Sequence, residues 1–320
     1  MFVVAGESLI DLVAKPQVEG ETLEMGAHAG GSPYNCAIAL ARLGQKSGFL
    51  CPISQDTFGD LLLAPLDDAG VVPLIEKRSA CNTTLAVVTR NAKGLPAYAF
   101  YRRGTAERDI SHDTLMAALP ENIDLFQIGG FLPIEPEDFA IWLDVIKAVA
   151  ARGTVLSIDP NVRPSLISDF AGYTQRLSAF LDLAHIVKMS DEDLATLDAG
   201  KTIEEHAEDL LARPNVELVV VTMGEGGSRA FTRSAVAQAP IHRPATFGDT
   251  VGAGDSLMAG ILTAIADRGA MAVGKIGALD ADALREVLMF GAITAGLNCG
   301  FVGCNPPTRG AVEAVLKGQA

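Results

Sequence analysis

Tryptophan occurs once in this chain of 320 residues, and aromatic residues make up only 6%. Any core it builds must therefore be packed chiefly with alanine, valine, leucine and isoleucine. Cysteine is also scarce. Cys36, Cys51, Cys81, Cys299 and Cys304 are odd in number, scattered, and form no C-x-x-C pair. That excludes a disulfide framework and fits a reduced, cytoplasmic setting. The opening stretch "MFVVAGESLIDLVAKP" has no positively charged lead and is soon interrupted by acidic residues, so it reads as a first β-strand and not as a signal peptide. Asn82-Thr83-Thr84 matches a glycosylation acceptor, which carries no weight without a secretion signal. No run of roughly 18 or more apolar residues is present, so no membrane span is expected. Basic residues are outnumbered, 25 Lys and Arg against 39 Asp and Glu, for a net charge of −14. This balance argues against nucleic acid as a partner and leaves open a small anionic ligand held in a local basic pocket.

Common catalytic signatures are missing too. There is no G-x-x-x-x-G-K-[ST] phosphate loop, and no G-x-G-x-x-G opens a helix after the first strand, which weakens a dinucleotide-binding reading. The five histidines, at 28, 112, 185, 206 and 242, show no zinc-binding spacing and read as ordinary surface or loop residues. A G-x-S-x-G nucleophile elbow is absent.

What is present is ample apolar material, 49% of the residues, for one large α/β domain or a domain with a smaller appendage. From about residue 120 short apolar runs alternate with helical patterns. "IDLFQIGG" precedes "PEDFAIWLDVIKAVAARG", "TVLSIDP" precedes "YTQRLSAFLDLA", "HIVKMS" precedes "DEDLATLDAG", and "VELVVVTMG" precedes "EGGSRAFT". Short buried strands ended by Gly, Pro or Ser mark parallel βα units. Such a sheet carries its ligand at the carboxyl ends of its strands. Residues 12–28 and about 83–110 break the pattern and read as extended, the second around a turn at Asn91-Ala92-Lys93-Gly94. They form either a small β-rich lid or an antiparallel edge of the main sheet.

Two glycine-rich stretches carry the chemistry. In "AGGSPYNCAIALARLG" Gly30 and Gly31 let a backbone approach a ligand closely. Ser32 and Pro33 read as N-cap and first helical position, with Gly44 closing the helix. Asn35 lies in the first turn, where it can bond hydroxyls resting on the glycines; a plain capped helix fits equally well. In "FGDTVGAGDSLMAGIL" Gly252, Ala253 and Gly254 put three backbone N–H groups at the mouth of an apolar helix, which makes an anion site. Asp255 stands at the N-cap position there. Capping alone leaves the small residues before it unexplained, whereas a carboxylate beside an anion hole suits phosphoryl transfer: it takes a proton from an attacking hydroxyl while the amides hold the transferring group.

Together these residues resemble the ribokinase-like (PfkB-type) carbohydrate kinases, and among them the bacterial fructokinases. "GGSPYNCAIALARLG" is similar to the family's first signature and "DTVGAGDSLMAGIL" to its second. The resemblance covers most of the chain and implies a single α/β domain over residues 1–320, with a mainly parallel central sheet flanked by helices and a small β-sheet lid that often mediates dimerisation. It implies Asp255 as the base and Gly252, Ala253 and Gly254 as the anion hole. Asp11, Gly30, Gly31 and Asn35 become sugar contacts. "DPNVRP" is similar to a fructokinase strand-end motif, with Asp159, Asn161 and Arg163 near substrate and phosphates, and Arg102 in "FYRRGTAERDI" reaches phosphate or sugar. For ATP the resemblance nominates Thr222, Gly224 and Gly227, with Ala295 and Asn298 as an adenine wall. Asp249 and the Val251 carbonyl match a monovalent cation (K⁺) site. The family's N-x-x-E motif, which organises Mg²⁺, is replaced here by Ser190 and Asp193 in "KMSDEDL", with Glu192 adjacent.

The expectation is a cytoplasmic, homodimeric, ATP- and Mg²⁺-dependent sugar kinase acting on a hydroxymethyl group, D-fructose first. Ribose, 2-keto-3-deoxygluconate or a nucleoside would satisfy the same pocket. A silent sugar- or nucleotide-binding regulator is the alternative of another class.

Overall fold

The computed structural model describes residues 1–15, 23–90 and 96–318. The expected turn at Asn91–Gly94 lies outside them. In chain order the strands are β1 (Phe2–Ala5), β2 (Leu9–Ala14), β3 (Met25–Gly30), β4 (Ser47–Leu50), β5 (Val72–Pro73), β6 (Thr84–Arg90), β7 (Pro96–Tyr101), β8 (Leu125–Gly129), β9 (Val155–Asp159), β10 (Ile186–Ser190), β11 (Leu218–Thr222), β12 (Ser228–Phe231) and β13 (Val236–Ala239). Nine of them make the main sheet, in the order β13-β12-β11-β10-β9-β8-β1-β4-β5. From β11 through β5 every pairing is parallel.

Strand sequence explains the layering. In β1, Phe2 and Val4 pack into one apolar cluster while Val3 and Ala5 pack into another. A strand that is apolar on both faces is stable only where helices cover both faces, which is what parallel connections supply. The helices are α1 (Ser32–Arg42), α2 (Thr57–Ala69), α3 (His112–Ala118), α4 (Pro136–Ala150), α5 (Phe170–Leu181), α6 (Asp191–Asp198), α7 (Ile203–Leu211), α8 (Ala253–Asp267), α9 (Ala281–Asn298) and α10 (Arg309–Leu316). Helices α1, α8 and α9 contribute to the first cluster, α4 and α5 to the second. Among the described residues no helix is long and apolar enough to cross a membrane.

The last βα reading fails at its second half. "GSRAF" forms no helix; β12 turns back antiparallel on β11, and β13 on β12. Gly227 makes that return, with a positive φ of 84°, and a side chain there would run into the Ala239 carbonyl.

The β-rich excursion is a separate four-stranded sheet, ordered β3-β2-β6-β7, and not an edge of the main one. It begins earlier than the sequence pattern suggests, at Leu9. After Tyr101 the chain turns through a short 3₁₀ segment, Ala106–Arg108, so residues 102–110 lie outside the sheet.

Candidate active site

The parallel strands end side by side. β1 runs into Gly6-Glu7, β8 into Gly130-Phe131, β9 into Pro160 to Arg163, and β10 into the first turn of α6. Two helix N-termini, those of α1 and α8, meet at this edge through hydrogen bonds onto Asp255.

Helix α8 starts two residues before its carboxylate, which lies in the first turn. Gly252 is the N-cap, in the left-handed region with φ 72° and ψ 8°, and Ala253 donates back to the Thr250 carbonyl at 3.1 Å. This is the geometry of a turn whose third residue must be glycine. A Cβ there would also run into Cys304 Sγ. Asp255 is thus the third helical residue and not the N-cap. Because Ala253 spends its amide on Thr250, the amides free of an acceptor among the described residues are those of Gly252, Gly254 and Asp255. The helix mouth keeps three donors, with a changed membership.

Helix α1 starts one residue earlier than its sequence implies. Gly31 is the N-cap, at φ 115°, and Ser32 and Pro33 occupy the first two helical positions. That frees the Ser32 hydroxyl, which donates to Asp255 Oδ1 at 2.6 Å, while Asn35 Nδ2 donates to Asp255 Oδ2 at 2.9 Å. Burial pushes the Asp255 carboxyl above its ordinary pKa, and the bonds from Ser32 and Asn35, with the charges of Lys188 and Arg163, restrain the rise.

Lys188 was not nominated from the sequence. It is buried on β10, and its Nζ donates to Asp159 Oδ2 at 2.7 Å. Nζ lies 3.2 Å from where a Cβ on Gly254 would stand, so an ammonium sits against the positive end of α8. Burial works to lower the Lys188 pKa, but Asp159, Asp193 and Asp255 hold it above its ordinary value. Asp159, desolvated and only partly compensated by Lys188, is pushed up to about 6, and its Oδ1 has no donor among the described residues. The signal was available: a lone lysine in the apolar run "HIVKMS" must find a counter-charge once the strand is buried.

Asp11 lies on β2 opposite His28, and a Cβ on Gly30 would come within 2.6 Å of Asp11 Oδ2. Glycine therefore gives the carboxylate its room. Burial raises Asp11 to about 6, against the pull of His28 and Arg163. Arg163 is exposed at the end of β9, and Asn161 adopts a positive φ of 45° in the same turn.

Other nominated residues are engaged within the protein. Arg102 is buried, paired through Nε with Glu107 at 2.8 Å and stacked over the Phe131 ring. Asp193 spends both oxygens on backbone amides, of Val162 and Ser190, and forms a capping box with Ser190 at the start of α6. Glu192 beside it is exposed. Asn298 is fully buried, donating to the Val251 carbonyl and accepting from the Asn305 amide, both at 2.8 Å. Asp249 accepts from the Val251 and Gly303 amides. Thr222 is half-buried at the end of β11, Gly224 is exposed in the following turn, and Ala295 is half-buried on α9.

These residues bear on the two metals implied above. Among the described residues no group of three or more His, Cys, Asp or Glu could hold a metal ion. The donor set therefore fits a divalent ion that arrives on phosphate oxygens, with Glu192 as the free carboxylate nearby in sequence, and does not fit a protein cage. For a monovalent cation, the Val251 carbonyl accepts one hydrogen bond and each Asp249 oxygen one, which leaves lone pairs on all three for an ion.

Comparison with known proteins gives a consistent picture. The chain is 31% identical to fructokinase-2 of Solanum lycopersicum, over 100% of this chain and 97% of that protein. It is 32% identical to a fructokinase of Rhizobium leguminosarum bv. trifolii, over 89% of this chain and 86% of that one. The solved fructokinase of Xylella fastidiosa with bound ATP superposes with a TM-score of 0.85 at 26% identity, covering 99% of this chain and 98% of its own. Residues 1–309, which include both glycine-rich helix starts, match the model of the pfkB family carbohydrate kinases, and the chain belongs to that family.

Proposed function

We propose that the protein transfers the γ-phosphoryl group of ATP to the hydroxymethyl oxygen of a sugar, and that D-fructose is the acceptor. The observation that carries the chemistry is Asp255. It is a buried carboxylate oriented by two donors, set in the first turn of α8 beside three unspent amides and the Lys188 ammonium. A carboxylate has reason to lie among converging positive groups where a proton must leave an attacking hydroxyl as negative charge shifts on a phosphoryl group. The choice of fructose draws on the relatives named fructokinases.

In this reading Asp11, Gly30 and Asn35 hold the sugar hydroxyls. Asp255 accepts the hydroxymethyl proton, the sugar oxygen bonds to the γ-phosphorus, and the bond to the ADP oxygen breaks. The amides of Gly252, Gly254 and Asp255 hold the phosphoryl oxygens, and Lys188 and Arg163 offset their charge. Mg²⁺ bound to the ATP phosphates would neutralise charge there, with Glu192 available to its waters. A monovalent cation, K⁺, would be held by the Asp249 carboxylate and the Val251 carbonyl. Thr222, Gly224, Gly227, Ala295 and Asn298 belong to the nucleotide side, Asn298 by shaping the Val251 turn. The four-stranded sheet is the lid over the sugar and the dimer interface, and the protein works in the cytoplasm.

The test is ADP release with Mg-ATP against fructose, ribose, 2-keto-3-deoxygluconate, adenosine and inosine. Turnover with fructose alone is expected; turnover with another sugar moves the acceptor and keeps the chemistry. The Asp255→Asn variant should bind sugar normally and lose about 10²–10⁴-fold in kcat. Full turnover by that variant would remove Asp255 from the base role.

A further inference from the structure

Ser32 and Glu7 belong to neither glycine turn's expected chemistry, yet both are built into this edge of the sheet. Glu7, at the end of β1, is buried; its Oε1 accepts from the Ser32 amide at 3.2 Å and its Oε2 from the Phe131 amide at 3.0 Å. The fit is close, since a Cβ on Gly130 would run into the Glu7 carboxyl. Helix α1 has no side-chain cap of its own, because its N-cap is Gly31. Glu7 therefore supplies from the β1–β2 connection the acceptor that the first turn of α1 lacks. Ser32, anchored by its amide, then aims its hydroxyl at Asp255 Oδ1.

We propose that Ser32 is the positioning residue of the Asp255 carboxylate and that Glu7 sets Ser32 in place. This rests on the reading of Asp255 as the base. The two donors on Asp255 differ in what they can do during the reaction. The Asn35 Nδ2 group that faces Oδ2 can only donate, so it holds that oxygen in one orientation. The Ser32 hydroxyl rotates: it donates to Oδ1 while the carboxylate is charged and accepts from it once the sugar proton has arrived. Ser32 thus stays bonded to Asp255 on both sides of the proton transfer, and the carboxylate keeps its aim. The other charged or titratable groups around Asp255 are Lys188 on β10, Asp159 and Arg163 at the end of β9, Cys36 on α1 and Cys304 in the C-terminal loop. Glu7 in turn faces Arg102, Glu107 and Cys51.

The experiment is a kinetic cycle over pH on the full chain with Mg-ATP and the sugar it turns over. Ser32→Ala should lower kcat about 10- to 100-fold, part of the range of a positioned general base, while KM for ATP stays within about twofold. The acid limb of its kcat profile should move to higher pH, because a bond that favours the ionised carboxylate is gone. Ser32→Thr, which returns the hydroxyl, should recover most of the loss. Glu7→Leu fills similar space without an acceptor; it should lower kcat in the native background and add nothing to Ser32→Ala. If the leucine variant does not fold, Glu7→Gln, which gives up one of two acceptors, replaces it in the cycle. Native kcat and an unmoved acid limb in Ser32→Ala, beside an inactive Asp255→Asn, would overturn this proposal and leave the base intact. Full turnover by Asp255→Asn would instead overturn the base reading beneath it. Multiplying losses in the Glu7 and Ser32 double variant would show that Glu7 does not act through Ser32.

Discussion

Carboxyl groups at the carboxyl ends of these strands are held out of water, and their protonation follows from that. Glu7 is the clearest case. Burial, reinforced by the nearby Glu107 charge, pushes it from 4.5 to about 8, against the backbone bonds and Arg102 that pull it down. A group whose pKa is raised on folding binds a proton that the unfolded chain releases, so its contribution to stability is complete below about 4.5 and is lost as pH rises through about 8. Denaturant midpoints measured from about pH 5 to 8.5 should therefore fall for the native protein and fall less for Glu7→Gln, which does not titrate. Equal slopes in the two proteins would mean that Glu7 keeps an ordinary pKa. Residues of this kind are poorly legible in a sequence. "GESLIDLV" exposes Asp11 and Glu7 equally to the reader, and only the packing separates a carboxylate beside a glycine from one enclosed by Gly130, Ser32 and Phe131.

Helix starts are where element-scale reading came close and then shifted. Both glycine-rich stretches do open helices, because small residues followed by apolar periodicity leave little else. Yet Gly31 and Gly252 took the cap positions that the sequence suggested for Ser32 and Asp255. The reason is backbone conformation. Each chain enters its helix through a positive φ that only glycine adopts without strain, so the polar residue moves into the first turn and its side chain is released for other bonds. Gly252→Ala tests this at α8. A left-handed non-glycine residue costs roughly 1–2 kcal/mol, and the added methyl must also displace Cys304. The expected outcome is a lower Tm together with a kcat loss of at least about tenfold, since the Gly252 and Gly254 amides lose their alignment. A drop in Tm with native kcat would mean that these amides do not hold the transferring group.

At the scale of the molecule, the four-stranded sheet is separate from the main one and carries Val13 and Tyr98 exposed on one face and Tyr101 exposed on the other. In the proposed dimer the Val13 and Tyr98 face would be covered by the partner. Sedimentation should give a dimer, and Val13→Asp with Tyr98→Asp, on one face of the sheet, should give a monomer; an unchanged dimer would move the interface elsewhere. By itself the sequence determined the alternation of strand and helix, the parallel sheet, the two glycine turns and the acid beside the second, because those depend on local periodicity and on what glycine alone permits. Tertiary structure decided which groups meet. Ser32 and Asp255 are 223 residues apart in sequence, Glu7 and Phe131 are 124 apart, and Lys188 and Asp159 are 29 apart. Their bonds exist because parallel strands end at one edge of a sheet, so that side chains from distant segments are buried together and must satisfy one another's charges and hydrogen bonds.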